Sequence, residues 1–110
     1  MKIPEDAVIP DEKITRYLLV PKARNDKSKF LAQAGFTPDN PDDLRAAIRL
    51  LLKTSSATAD GRSEYGEFYR VVGQLIGVNE MALAVVTIWL QRQVDGKFQF
   101  VTLKPLKENQ

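Results

Sequence analysis

Apolar residues recur along this chain with two different periods, and the change of period divides it. Between residues 11 and 52 they fall three and four apart, as on one face of a helix; beyond Tyr65 they alternate, as in a half-buried strand. The first ten residues, broken by Pro4 and Pro10, read as an extended lead-in, loose at its start. Asp11 then caps a short helix with Ile14, Tyr17 and Leu18 on its apolar side, and Pro21 ends it near Val20 because proline restricts the residue before it. A second helix is expected over residues 25–34, with Phe30, Leu31 and Ala34 on one face, Lys27 and Lys29 in water, and Gly35 at its exit. Phe36 is expected to fold back on the last turn.

The third helix is the most strongly marked. Asn40 stands at the cap, Pro41 at the first helical position, and Asp42 and Asp43 beside the unpaired amides of the first turn. Leu44, Ala47, Ile48, Leu51 and Leu52 make the stripe that covers a sheet, with Arg45 and Arg49 on the wet side. Residues 53–64 are small and polar and read as an internal loop. After it, residues 67–76 form a strand with Tyr69, Val71 and Leu75 on one side and Phe68, Arg70, Val72 and Gln74 on the other. Residues 77–80 turn the chain into an apolar central strand over 81–91. Asp95-Gly96 is a hairpin turn into a last strand over 97–103. The expected fold is α+β, a single domain over residues 1–110 with N-terminal helices packed on a C-terminal antiparallel meander of at least three strands.

Composition narrows the chemistry. A net charge of +2 does not by itself mark a nucleic-acid binder, but Lys13, Arg16, Lys22, Arg24, Lys27 and Lys29 lie close together in the N-terminal part. They form either a basic patch or a solvated helical face. The absence of cysteine excludes a disulfide framework and a thiol nucleophile, and suits the cytoplasm. The first residues carry charges and prolines where a secretory signal needs an apolar run, and the apolar stretch 81–90 is too short to cross a bilayer as a helix, so no membrane association is expected.

Without histidine or cysteine, no metal site is expected; without a glycine-rich phosphate loop, no cofactor. Asp42 and Asp43 point in different directions on a helix and make a poor acid/base pair. The polar residues that remain lie on the strands. Arg70, Thr87 and Thr102 could orient a phosphate if the strand register brings them to one face; alternatively the threonines are ordinary strand residues and the arginine reaches past an apolar face to water. Trp89 and Tyr65 are open to two readings in the same way, as base-stacking platforms or as sheet aromatics.

The stretch from Lys22 to Asn40, then Tyr65-Gly-Glu-Phe-Tyr-Arg-Val, Val86-Thr-Ile-Trp and Phe100-Val-Thr-Leu-Lys-Pro, resembles an uncharacterised family of small bacterial domains. Its members stand alone beside a small partner gene or form the C-terminal module of polymorphic toxins. The resemblance implies a toxin-like domain that binds or cleaves RNA without a metal, with Lys27, Arg70, Thr87 and Thr102 as catalytic residues and Lys22, Tyr65 and Trp89 on the substrate. The alternative it implies is a non-enzymatic partner protein that binds a small protein encoded nearby, or a second copy of itself. Members carry a histidine in the segment leading to the position of Lys27, whereas this chain has none. RNA cleavage without a metal needs a group to take the 2′-hydroxyl proton, and neutral imidazole is the convenient one near neutral pH.

Overall fold

The computed structural model of the chain describes residues 1–23 and 26–106. A π-helical segment Lys13–Leu18, a short helix α1 (Ser28–Ala32) and a long helix α2 (Pro41–Thr54) precede four strands: β1 (Ala57–Ser63), β2 (Gly66–Ile76), β3 (Ala82–Arg92) and β4 (Phe98–Pro105). The strands pair in sequence order, each antiparallel to the next. The architecture is α+β, helices on a four-stranded meander. Among the described residues no helix is long and apolar enough to cross a membrane.

Strand periodicity sets the two faces of the sheet. Val71, Leu75, Leu83, Val85, Trp89, Phe98, Phe100 and Leu103 point into the core, where Ile14, Leu18, Leu31, Phe36, Leu44, Ile48 and Leu51 meet them from the helices. Trp89 packs edge-on against Phe100, with ring centroids 5.3 Å apart. Helix α2 rests directly on β2 at Gly73. A Cβ there would collide with Leu51 and come within 2.6 Å of Ser55 Oγ, so only glycine admits so close a helix. Gly77 serves the same purpose against the backbone of Ala34.

Several sequence expectations need correction. Residues 53–64 are not a loop: α2 runs to Thr54, and β1 pairs with β2 as an edge strand, Thr58 opposite Arg70. Its apolar alternation is missing because β1 is exposed at most positions and is held through its backbone. The second helix is shorter than 25–34, spanning Ser28–Ala32; Arg24 and Asn25 lie outside the described residues. Asn40 does not cap α2 with its side chain. It instead accepts from Thr37 N at 2.7 Å and donates to the Gly35 carbonyl at 2.9 Å, closing the turn before the helix. Nor are Arg45 and Arg49 simply wet. Arg45 pairs with Asp11 and Asp42, and Arg49 donates to the carbonyls of Glu5 and Ala7, tying the lead-in to α2.

The lead-in is not loose at its start but firmly held. Ile3, Ala7 and Ile9 are buried, Ala57 N donates to Met1 O at 2.6 Å, and Val8 bonds at 2.8 Å to both Phe98 O and Phe100 N of β4. It therefore reaches from the start of β1 to the outer side of β4.

Candidate functional site

Three backbone devices assemble a polar cluster at the edge of β4. The π-helical turn, closed by Leu19 N donating to Ile14 O, buries Ile14 and Leu18 and leaves Tyr17 half-exposed beside β4. A bulge in β4 sets two residues, Val101 and Thr102, against the Ile88–Trp89 step of β3, as expected where a strand re-aims a side chain. Lys27 stands at the start of α1, and its amine is half-buried between the two elements. Lys27 Nζ donates to Thr102 Oγ1 at 2.8 Å and to Tyr17 Oη at 3.2 Å.

More positive charge surrounds the tyrosine. The amine of Lys22 lies 4.0 Å from the Tyr17 ring centroid, that of Lys27 5.1 Å and that of Lys13 5.5 Å, all within cation–π range. The hydrogen bond from Thr102 holds the Tyr17 phenol below its ordinary range; the bond from Lys27 adds to this, partial burial opposes it, and the charges of Lys27 and Lys22 reinforce it. The phenol is therefore easier to ionise than an ordinary tyrosine, with one ammonium bonded to its oxygen and two more lying against its ring.

Of the residues singled out in the sequence, Lys22, Lys27 and Thr102 come together here. Arg70 lies on the opposite face of the sheet from the helices, exposed, in the row Thr58–Arg70–Ile88–Thr102 that crosses all four strands. Two strand spacings separate it from Thr102, about 10 Å between backbones. There it shares with Lys104 a groove of about 480 Å³ floored by Val86 and Ile88, with Asp60 at the rim. Thr87 opposes Val71 and faces the core. Its hydroxyl donates to Val71 O at 3.2 Å and accepts from Trp89 Nε1 at 2.9 Å. Trp89 is itself fully buried. Tyr65 is exposed on the β1–β2 turn, beside Leu90, Arg92 and Val94.

Tyr17 is the participant that sequence reasoning assigned to the apolar side of a helix. A signal was present: it lies four residues after Lys13 and inside the run of basic residues, and a phenol there has a hydroxyl to share. Among the described residues no three carboxylates gather in a way that could hold a metal ion.

The chain belongs to the family described as Domain of unknown function (DUF6883), whose model matches residues 2–107. No curated protein matches the sequence. The fold is similar to one chain of a contact-dependent growth inhibition toxin–immunity protein complex from Klebsiella pneumoniae 342. The TM-score is 0.62 at 17% identity, over 94% of this chain and 96% of that one, a likeness of fold.

Proposed function

We propose that this is a toxin-like domain that binds and cleaves RNA without a metal ion, with the scissile phosphate at the β4 edge. The observation that carries this reading is the Lys27 ammonium held by both Tyr17 Oη and Thr102 Oγ1. An ammonium has three donors, and among the described residues Tyr17 and Thr102 take two, so a further one is available to a phosphate oxygen whose developing charge the lysine would neutralise. Lys22 and Lys13 add to the attraction, and Thr102 orients Lys27.

From this point the strand continues along the row to Arg70, which with Lys104 contacts a neighbouring phosphate over the floor of Val86 and Ile88. Exposed Tyr65 offers a face on which a more distant base can stack. Thr87 and Trp89 support the sheet from beneath. The likeness of fold to a chain from a toxin–immunity complex agrees with this role, which would be exercised in a bacterial cytoplasm and restrained by a small protein partner.

The test is incubation of RNA, in the presence of a chelator, with the purified wild-type protein, Lys27→Ala and Arg70→Ala. Lys27→Ala is expected to cleave about 100-fold more slowly, as for loss of one donor to a transition-state anion. Arg70→Ala is expected to bind more weakly. An inert wild-type protein, or cleavage unchanged in both variants, would sink the proposal.

A second reading, a non-enzymatic protein that binds a small partner or its own copy, draws on the uncovered face of the sheet. Val72 and Ile76 are exposed there on β2, and Met81 is exposed beside them. Copurification followed by a native mass measurement distinguishes it: a strict monomer that captures nothing counts against this reading.

A further inference from the structure

RNA cleavage through the 2′-hydroxyl needs a base, and this chain contains no histidine to provide one. The β4 edge contains an oxygen suited to the task. Tyr17 Oη is bonded to Lys27 Nζ at 3.2 Å, and the same amine is fixed by Thr102 at 2.8 Å, so base and acid would stand side by side at one phosphate. Among the described residues the charged groups that face the ring are Lys13 from its own helix, Lys22 from the following segment and Lys27 from the start of α1; β4 contributes the neutral hydroxyl of Thr102. Each of these charges favours the phenolate over the phenol.

We infer that Tyr17 is the proton acceptor of the cleavage reaction and Lys27 its proton donor, an inference that rests on the RNA-cleaving reading above. The Tyr17 phenolate takes the proton of the 2′-hydroxyl as the 2′-oxygen forms its bond to phosphorus. The bond from phosphorus to the 5′-oxygen breaks, and the departing oxygen takes a proton from the Lys27 ammonium. The products are a 2′,3′-cyclic phosphate and a 5′-hydroxyl. Tyr17 then passes its proton to the neutral Lys27 amine across their shared hydrogen bond, and the starting pair is restored without any other reactant.

The experiment compares the wild-type protein with Tyr17→Phe and Thr102→Val on RNA, with an all-deoxy strand of the same sequence as an uncleavable binding control. Tyr17→Phe keeps the ring that the lysines surround and removes only the oxygen. It is expected to lose at least about 100-fold in cleavage rate, within the span attributed to a positioned general base, and to bind the deoxy strand as before. Thr102→Val removes the hydroxyl that helps hold the phenol low, so the rising limb of the pH–rate profile is expected to move to higher pH. Phenolate absorbance supplies a readout apart from turnover: the first tyrosine to titrate in the wild-type protein should be missing in Tyr17→Phe. Cleavage at the wild-type rate by Tyr17→Phe, an unmoved limb in Thr102→Val, or identical phenolate titrations would overturn the role of Tyr17 while leaving the RNA reading intact. A wild-type protein that cleaves no RNA would overturn both.

Discussion

Trp89 Nε1 donates a hydrogen bond to Thr87 Oγ1, 2.9 Å away on the same face of β3, and the threonine hydroxyl in turn donates one to the Val71 carbonyl on β2. Both side chains are fully buried, so the indole N–H has no recourse to water if the hydroxyl is removed. Thr87→Val keeps the shape and strands that donor. The expected loss is about 1–3 kcal/mol of stability, the penalty for an unsatisfied buried polar group. Urea denaturation measures it, and cleavage per folded molecule should stay at the wild-type level; a collapse of activity with stability unchanged would instead make Thr87 a substrate contact.

Close approach of neighbouring chain at Gly73 and Gly77 predicts an order for two glycine substitutions. Gly73→Ala meets the side chains of Leu51 and Ser55, which can shift, whereas Gly77→Ala meets the backbone of Ala34, which cannot. We expect Gly73→Ala to cost about 1–3 kcal/mol, as overpacking of a core generally does, and Gly77→Ala to cost more. Thermal melting of the two variants side by side decides it, and the reverse order would contradict the packing described.

Salt should discriminate among the cations. In the proposed RNA-binding reading Lys27 and Lys22 meet phosphate, whereas Lys53 lies on the last turn of α2 and takes no part in the cluster around Tyr17. The logarithm of RNA affinity against the logarithm of salt concentration should lose about 0.7 of slope in Lys22→Ala, the value for one single-strand phosphate contact, and none in Lys53→Ala. Equal slopes in all three proteins would place the nucleic acid elsewhere.

The β3–β4 turn gives a prediction about acid. Asp95 accepts from Arg92, at 2.6 Å to Nη2, and from Lys97 N at 3.0 Å, and the Arg92 bond first and the Lys97 amide second hold its carboxyl below the ordinary range. A carboxylate depressed in the folded state adds stability above its unfolded value and loses that contribution as pH falls through the folded value. Stability should therefore decline as pH drops below about 4. Asp95→Asn should be less stable than wild type at neutral pH, with the difference shrinking through that window. A difference independent of pH would count against the linkage.

How much was legible in advance follows from where the apolar residues lie. The alternation of Tyr69, Val71 and Leu75 against Phe68, Arg70 and Val72, with the Asp95-Gly96 turn, makes β2 to β4 readable without coordinates. Strand β1 escaped because Thr58, Ala59 and Asp60 are small or polar and exposed, and pairing through backbone amides leaves no trace in side-chain pattern.

The candidate site shows the same boundary. Whether Arg70 and Thr87 share a face depends on register, and the pairing of Arg70 with Ile88 and of Val71 with Thr87 puts them on opposite sides. A one-residue slip would have reversed that outcome, and β3, apolar on both faces, does not exclude one by its own pattern. Lys27 and Thr102 meet across 75 positions of chain. Tyr17 joined them unforeseen because its ring obeys the helical stripe while its hydroxyl, at the other end of the same side chain, does not.

The span between Lys27 and Thr102, with the pairing of Val8 to β4, also has a consequence for synthesis. The lysines and Tyr17 are made before the strand that organises them, with 75 positions between Lys27 and Thr102. A nascent chain stopped before β4 holds the cations without the hydroxyl that orders them, and exposes the apolar surfaces that β4 would cover. Such non-local closure is slow to form and comes late. The Lys27–Tyr17–Thr102 cluster therefore forms only once β4 has emerged from the ribosome and paired.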